Sequence, residues 1–212
     1  MKKLLFAGLA VLGLATPAFA QFSLTGRFEA NYSTTLAPGL TAGVLGRLDA
    51  GILPSFRTGL LVRPFVQYST DLVSGGALTV NGYARVRLPI TVNLTPSSGF
   101  GLSVSPQVGL DLTYDVGSGL SLLAGLRALA SVSVVPNDVP FGYGLDGYLE
   151  ADYTVGDLTV YGGVSLDSLL PPLAWSLYLG GLYDLMPRLT FNPELSTDLS
   201  SFGLLLRFAY RL

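Results

Sequence analysis

Apolar and polar residues alternate one for one along most of this chain. Over 22–32, Phe22, Leu24, Gly26, Phe28, Ala30 and Tyr32 interleave with Ser23, Thr25, Arg27, Glu29 and Asn31. Successive side chains of an extended strand point to opposite faces, so such a segment has one greasy face and one polar face. The pattern returns in Leu102, Val104, Val108, Leu110, Leu112 and Tyr114, at the even positions of 120–134, and in Phe141, Tyr143, Leu145, Leu149, Ala151 and Tyr153. Charged side chains of these segments keep to the polar parity. Clusters of Gly, Pro, Asp, Asn and Ser interrupt the alternation at 37–39, 53–55, 71–76, 96–99, 115–119, 136–140, 156–157, 171–172, 184–187 and 197–201, and such clusters mark turns. About eleven strand candidates lie between them.

A sheet that turns a continuous greasy face to lipid must leave no backbone group unpaired, so it has to close on itself. The expected fold is therefore all-β, an antiparallel up-and-down transmembrane β-barrel. Bacterial single-chain barrels carry even strand counts, so one strand is missing from or surplus to the eleven candidates. The stretch 77–94 alternates for longer than the roughly 9 to 11 residues that cross a bilayer, and Pro89 inside it could mark a hidden turn. Splitting it gives twelve strands, with ten as the alternative. Pro64 and Pro106 fall inside other runs and predict bulges there.

The rival fold is a soluble barrel that turns its greasy face inward, and parity alone does not separate the two. Composition does. Half of the chain is hydrophobic and only 12% of it charged, whereas a soluble exterior carries roughly 25 to 35% charge. No stretch after residue 20 has the roughly 18 consecutive apolar residues of a membrane helix. Large aromatics, among them Phe22, Tyr32, Phe56, Tyr68, Phe100, Tyr114, Trp175, Tyr183 and Tyr210, sit mainly on the greasy parity and near strand ends.

The first twenty residues have a different character. Lys2 and Lys3, an apolar run over 4–15, and Ala18-Phe19-Ala20 form the charged region, short apolar region and small-x-small site of a cleaved signal peptide. The expected division is a signal peptide at 1–20 and one barrel domain at 21–212. After cleavage every basic residue is an arginine, and no polybasic patch suggests nucleic acid. Without cysteine there is no disulfide framework.

The chain also contains no histidine, which removes Ser-His, Cys-His and Asp-His constellations and makes zinc sites improbable. No enzyme activity and no cofactor are expected. Gly142-Tyr143-Gly144-Leu145-Asp146-Gly147 fits a dinucleotide-binding pattern by letter, but it lies in a strand with no following helix to hold a phosphate. Asp146, Glu150 and Asp152 share the polar parity of one strand, where they either bind Ca²⁺ or pair with lumenal arginines. Arg57, Arg63, Arg85 and Arg87 take the polar parity on two segments adjacent in sequence, and therefore expected to be adjacent in space. Opposite walls of the lumen would then carry opposite charge.

The terminal run from Ser201 through Gly203, Leu206, Phe208 and Tyr210 resembles the C-terminal assembly signal of bacterial outer-membrane β-barrel proteins. It departs from that pattern in ending on Leu212 rather than an aromatic. The resemblance, to small porins and to OmpA-like or OmpW-like barrels, implies an outer-membrane location, a lipid bilayer as surroundings and the barrel assembly machinery as partner. The expected function is a narrow passive channel for ions or small polar solutes, weakly favouring anions because charge on pore walls sets selectivity. The alternative is a non-conducting envelope barrel whose lumenal arginines pair with Glu29, Asp49, Asp111 and the acidic strand.

Overall fold

The computed structural model describes residues 21–53, 56–95, 99–135, 141–198 and 200–212. The expected signal peptide and parts of the turns at 54–55, 96–98 and 136–140 lie outside the described residues. The described chain is all-β: β1 (Gln21–Ala37), β2 (Leu40–Leu53), β3 (Arg57–Gly75), β4 (Leu78–Arg87), β5 (Ile90–Thr95), β6 (Gly99–Gly117), β7 (Leu120–Val135), β8 (Gly142–Val155), β9 (Leu158–Ser168), β10 (Ala174–Met186), β11 (Leu189–Thr197) and β12 (Ser201–Arg211).

Eleven of these strands close into a barrel, and β5 stands outside that ring of eleven. It pairs with β3 and β6, the same two neighbours as β4: Leu60↔Val92 and Val92↔Phe100 lie below Phe65↔Arg87 and Arg87↔Ser105. The expectation that Pro89 hides a turn is thus corrected. Pro89 does break the strand, because it has no N–H for the ladder, but the chain goes straight on in the same lane. The Pro89 carbonyl accepts from the Ser103 N–H at 3.1 Å and the Leu88 N–H donates to the Pro64 carbonyl at 3.0 Å, which carries the ladder across the break.

An odd number of alternating lanes can close only where first and last run the same way. β1 and β12 accordingly pair in parallel, from Gln21↔Ser201 to Asn31↔Arg211, while the other pairings are antiparallel. The purely antiparallel expectation is corrected at this seam. Bulges, too, fall elsewhere than expected. Pro64↔Val44 and Pro106↔Val86 lie in unbroken registers. Shifts instead occur near strand ends, as at Asp71/Val73, Asp115/Gly117 and Asp184/Met186.

The two rims differ. At one, β1–β2, β3–β4, β6–β7, β8–β9 and β10–β11 are joined by two residues each. Tight hairpins of this kind need left-handed backbone, and Gly39 (φ 74°) and Gly156 (φ 59°) supply it. At the opposite rim the connections run from three residues (54–56) to six (136–141).

Alternation sets the two faces. Phe28, Val66, Leu110, Leu149 and Leu179 point outward and are 47% exposed or more, while their polar neighbours line the interior. The interior is not a packed core. Among the described residues only Leu61, Gln107 and Asn192, at 6 to 7% exposure, and Gly147 are buried.

Candidate functional site in the barrel lumen

The antiparallel pairing of β3 with β4 brings lumenal arginines together. Arg87 lies opposite Phe65 and Arg85 opposite Gln67, with Arg63 one step further along the lumenal face of β3. Arg63, Arg85 and Arg87 line one cavity of about 280 Å³ with Asn31, Ser33 and Thr41. Arg57, expected on the same wall, is near the rim with the longer loops, in a separate cavity of about 510 Å³ with Thr25, Asp49 and Asn93. Three of the four predicted wall arginines are therefore gathered at one place, and the fourth is not.

The Arg85 guanidinium is held from several sides. Its Nε donates to Gln67 Oε1, and its carbon lies 5.7 Å from the Phe65 ring and 5.3 Å from the Tyr83 ring. Cation–π contacts of this sort help to hold the cation in place. Among the described residues, no carboxylate stands within ion-pair distance of Arg63, Arg85 or Arg87.

Other lumenal arginines do have such partners. Arg27 Nε donates to Asp49 Oδ1 at 2.7 Å, and Arg47 Nε reaches the other oxygen of Asp49 at 2.7 Å without hydrogen-bond alignment. Arg127 Nε donates to Asp146 Oδ1 at 2.5 Å, directly across β7–β8. Asp146 is therefore committed to a neighbouring base, apart from its expected companions. Across the parallel seam Arg27 sits beside Arg207, whose Nε is buried with no hydrogen-bond partner among the described residues.

Glu150 and Asp152 share a cavity of about 430 Å³ with Glu194, Asn192, Tyr161 and Arg207. Counted around the ring, the middle of this β8–β11 arc lies five lanes from the β3–β4 arginines, which in a ring of eleven is the opposite wall. The topology thus sets Glu150 and Asp152 across the ring from the arginines, with Arg207 among them and with Glu194 as a member that parity on one strand could not reveal. Among the described residues there is no group of three or more acidic side chains arranged to hold a metal ion.

Aromatic side chains also enter the lumen. Tyr148 stands over Gly125, Tyr161 over Gly180, Tyr178 over Gly163, Tyr83 over Gly109 and Phe65 over Gly43, each glycine on an adjacent strand. A Cβ at Gly125 would lie 2.1 Å from the Tyr148 ring. Hydroxyls of these rings are anchored: Tyr148 donates to Asp111 at 3.1 Å, the Tyr161 hydroxyl lies 2.8 Å from Asn192 Oδ1 and 2.9 Å from Glu194 Oε2, and Tyr83 accepts from Gln107 at 3.1 Å. Reading aromatics by the greasy parity alone misses all five. The signal available was a glycine and an aromatic on the polar parity of neighbouring strands.

The predicted assembly-signal residues are all in β12. Phe208 faces outward and packs against Phe191 of β11, ring centres 4.9 Å apart, and Leu206 and Tyr210 share its face. Ser201 and Gly203 lie on the lumenal parity, with Gly203 opposite Ser196 and Ser23. No protein-family model, no curated protein and no solved structure matches this chain.

Proposed function

We propose that the protein is an outer-membrane β-barrel that forms a narrow passive channel for ions or small polar solutes and modestly favours anions. The observation that carries this reading is the pairing of an apolar, exposed exterior with a polar interior in which almost nothing is buried. Large hydrophobic side chains exposed on every strand but β11 of a closed sheet suit lipid and not water. Eleven lanes lie between the barrels of about eight strands, which side chains fill, and the porins of roughly sixteen, which hold a wide channel. The inward tyrosines narrow the space further.

Two-residue turns belong to the periplasmic side of such barrels and longer loops to the outside. In this reading the end of β12 faces the periplasm and the start of β1 the exterior, because the parallel seam puts them at opposite rims. The barrel assembly machinery would deliver the chain to the membrane through the β12 signal.

The second reading, a non-conducting envelope barrel, draws on the Arg27–Asp49–Arg47 and Arg127–Asp146 pairs, which is how a closed interior would neutralise itself. Arg63, Arg85 and Arg87, with no carboxylate of the described residues in ion-pair distance, argue for the channel instead. Refolded protein in a planar bilayer decides. Discrete conductance steps support the channel, and a silent bilayer containing folded, inserted protein supports the closed barrel.

A further inference from the structure

We infer that Arg63, Arg85 and Arg87 form a binding site for small oxyanions of the phosphate or carboxylate type, so that the channel retains such solutes in passing and does not merely repel cations. This rests on the channel reading above and gives it a solute class. Three guanidinium groups line one cavity of about 280 Å³ with no carboxylate of the described residues in ion-pair distance. Elsewhere in the same lumen Arg27, Arg47 and Arg127 all meet carboxylates, and these three do not. Like charges so gathered repel one another, and an anion from solution relieves that repulsion.

The chemistry of the lining selects an oxyanion. Guanidinium donates in a planar fork that matches two oxygens of a phosphate or carboxylate at once. Arg85 is already oriented, since Gln67 holds its Nε and the Phe65 and Tyr83 rings flank its plane. A group fixed before binding loses less entropy when the anion arrives. Asn31, Ser33 and Thr41 complete the cavity with neutral donors able to reach further oxygens. Chloride, a spherical ion with no forked geometry, gains the charge but not the fit.

Inorganic phosphate is the probe, with two readouts on refolded protein. The first is equilibrium binding to detergent-solubilised barrel by phosphorus NMR line broadening and calorimetry, which needs no conductance. The second is chloride current through the planar bilayer as phosphate is added. The expected results are saturable binding and a saturable fall in chloride current, each weakened roughly tenfold by Arg87→Ser or Arg85→Ser and unchanged by Arg188→Ser in a distant hairpin. Circular dichroism and heat-modified gel mobility show that each variant is folded. Chloride conductance with no saturable phosphate binding overturns the site and leaves the channel. Saturable, arginine-dependent binding to a protein that conducts nothing upholds the site and overturns the channel reading. Binding equally weakened by Arg188→Ser would reduce the effect to general charge and overturn the site.

Discussion

If the exterior faces lipid, the two sides of one strand differ in what they tolerate, and β6 offers the cleanest comparison. Leu110 is on the outward face, 47% exposed, between Gly82 of β4 and Leu126 of β7. It is well inside a strand of 19 residues, and neither neighbour offers a charge. Leu110→Arg places a guanidinium in hydrocarbon at a cost of roughly 2 to 4 kcal/mol, about a 30- to 900-fold loss in the folding equilibrium. Thr113 is on the lumenal face of the same strand, opposite Thr79 and Leu123, with Asp111 and Asp115 two residues away on the same side. An arginine there stays in water beside acids, so Thr113→Arg should cost less than about 1 kcal/mol. Urea titration in lipid vesicles measures both, and the single tryptophan of the chain, Trp175 in β10, reports the transition. Equal destabilisation, or a larger loss at Thr113, would refute the assignment of faces.

Three further outcomes are expected. Gly163→Val should destabilise the barrel by about 1 to 3 kcal/mol, because a Cβ there meets the Leu149 carbonyl at 2.1 Å and the Tyr178 hydroxyl at 2.8 Å; gel mobility after graded heating checks it. The Asp198 carboxylate is pulled down to about 2 by hydrogen bonds from Ser200 and Ser201, so its hold on the β11–β12 loop is complete above about pH 4 and lost as pH falls through about 2. Asp198→Ala should therefore speed amide exchange at Ser200 and Ser201 at neutral pH and leave it unchanged below pH 2. Since the chain has no cysteine, Asp157→Cys and Ser200→Cys supply single thiols at opposite rims, and an impermeant maleimide added to intact cells should label only Ser200→Cys.

Much of the fold could be read from alternation because parity is a local property of an extended chain. The outward sets on β6, β7 and β8, and the hairpins around Pro38-Gly39 and Gly156-Asp157, needed nothing but neighbouring residues. The strand count was not local. Pro89 announces a missing N–H, yet whether the chain turns or continues there depends on β3 and β6 both being long enough to flank two pieces in one lane. The parallel seam follows from that same fact and has no signature of its own in β1 or β12. The lumen shows the same division. Neighbouring sequence segments brought Arg63, Arg85 and Arg87 together, whereas Glu194 joins Glu150 and Asp152 only through the closed ring. The tyrosines over glycines required knowing which strand lies beside which.

The central claim, that Arg63, Arg85 and Arg87 govern what passes through an open lumen, is tested most directly by the reversal potential in a salt gradient. The unmodified barrel should show a modest anion preference. A folded barrel with all three arginines changed to Ser should shift toward cations, since Glu150, Asp152 and Glu194 stay on the opposite wall. An unchanged reversal potential with unchanged conductance would place these arginines outside the permeation path and contradict the account.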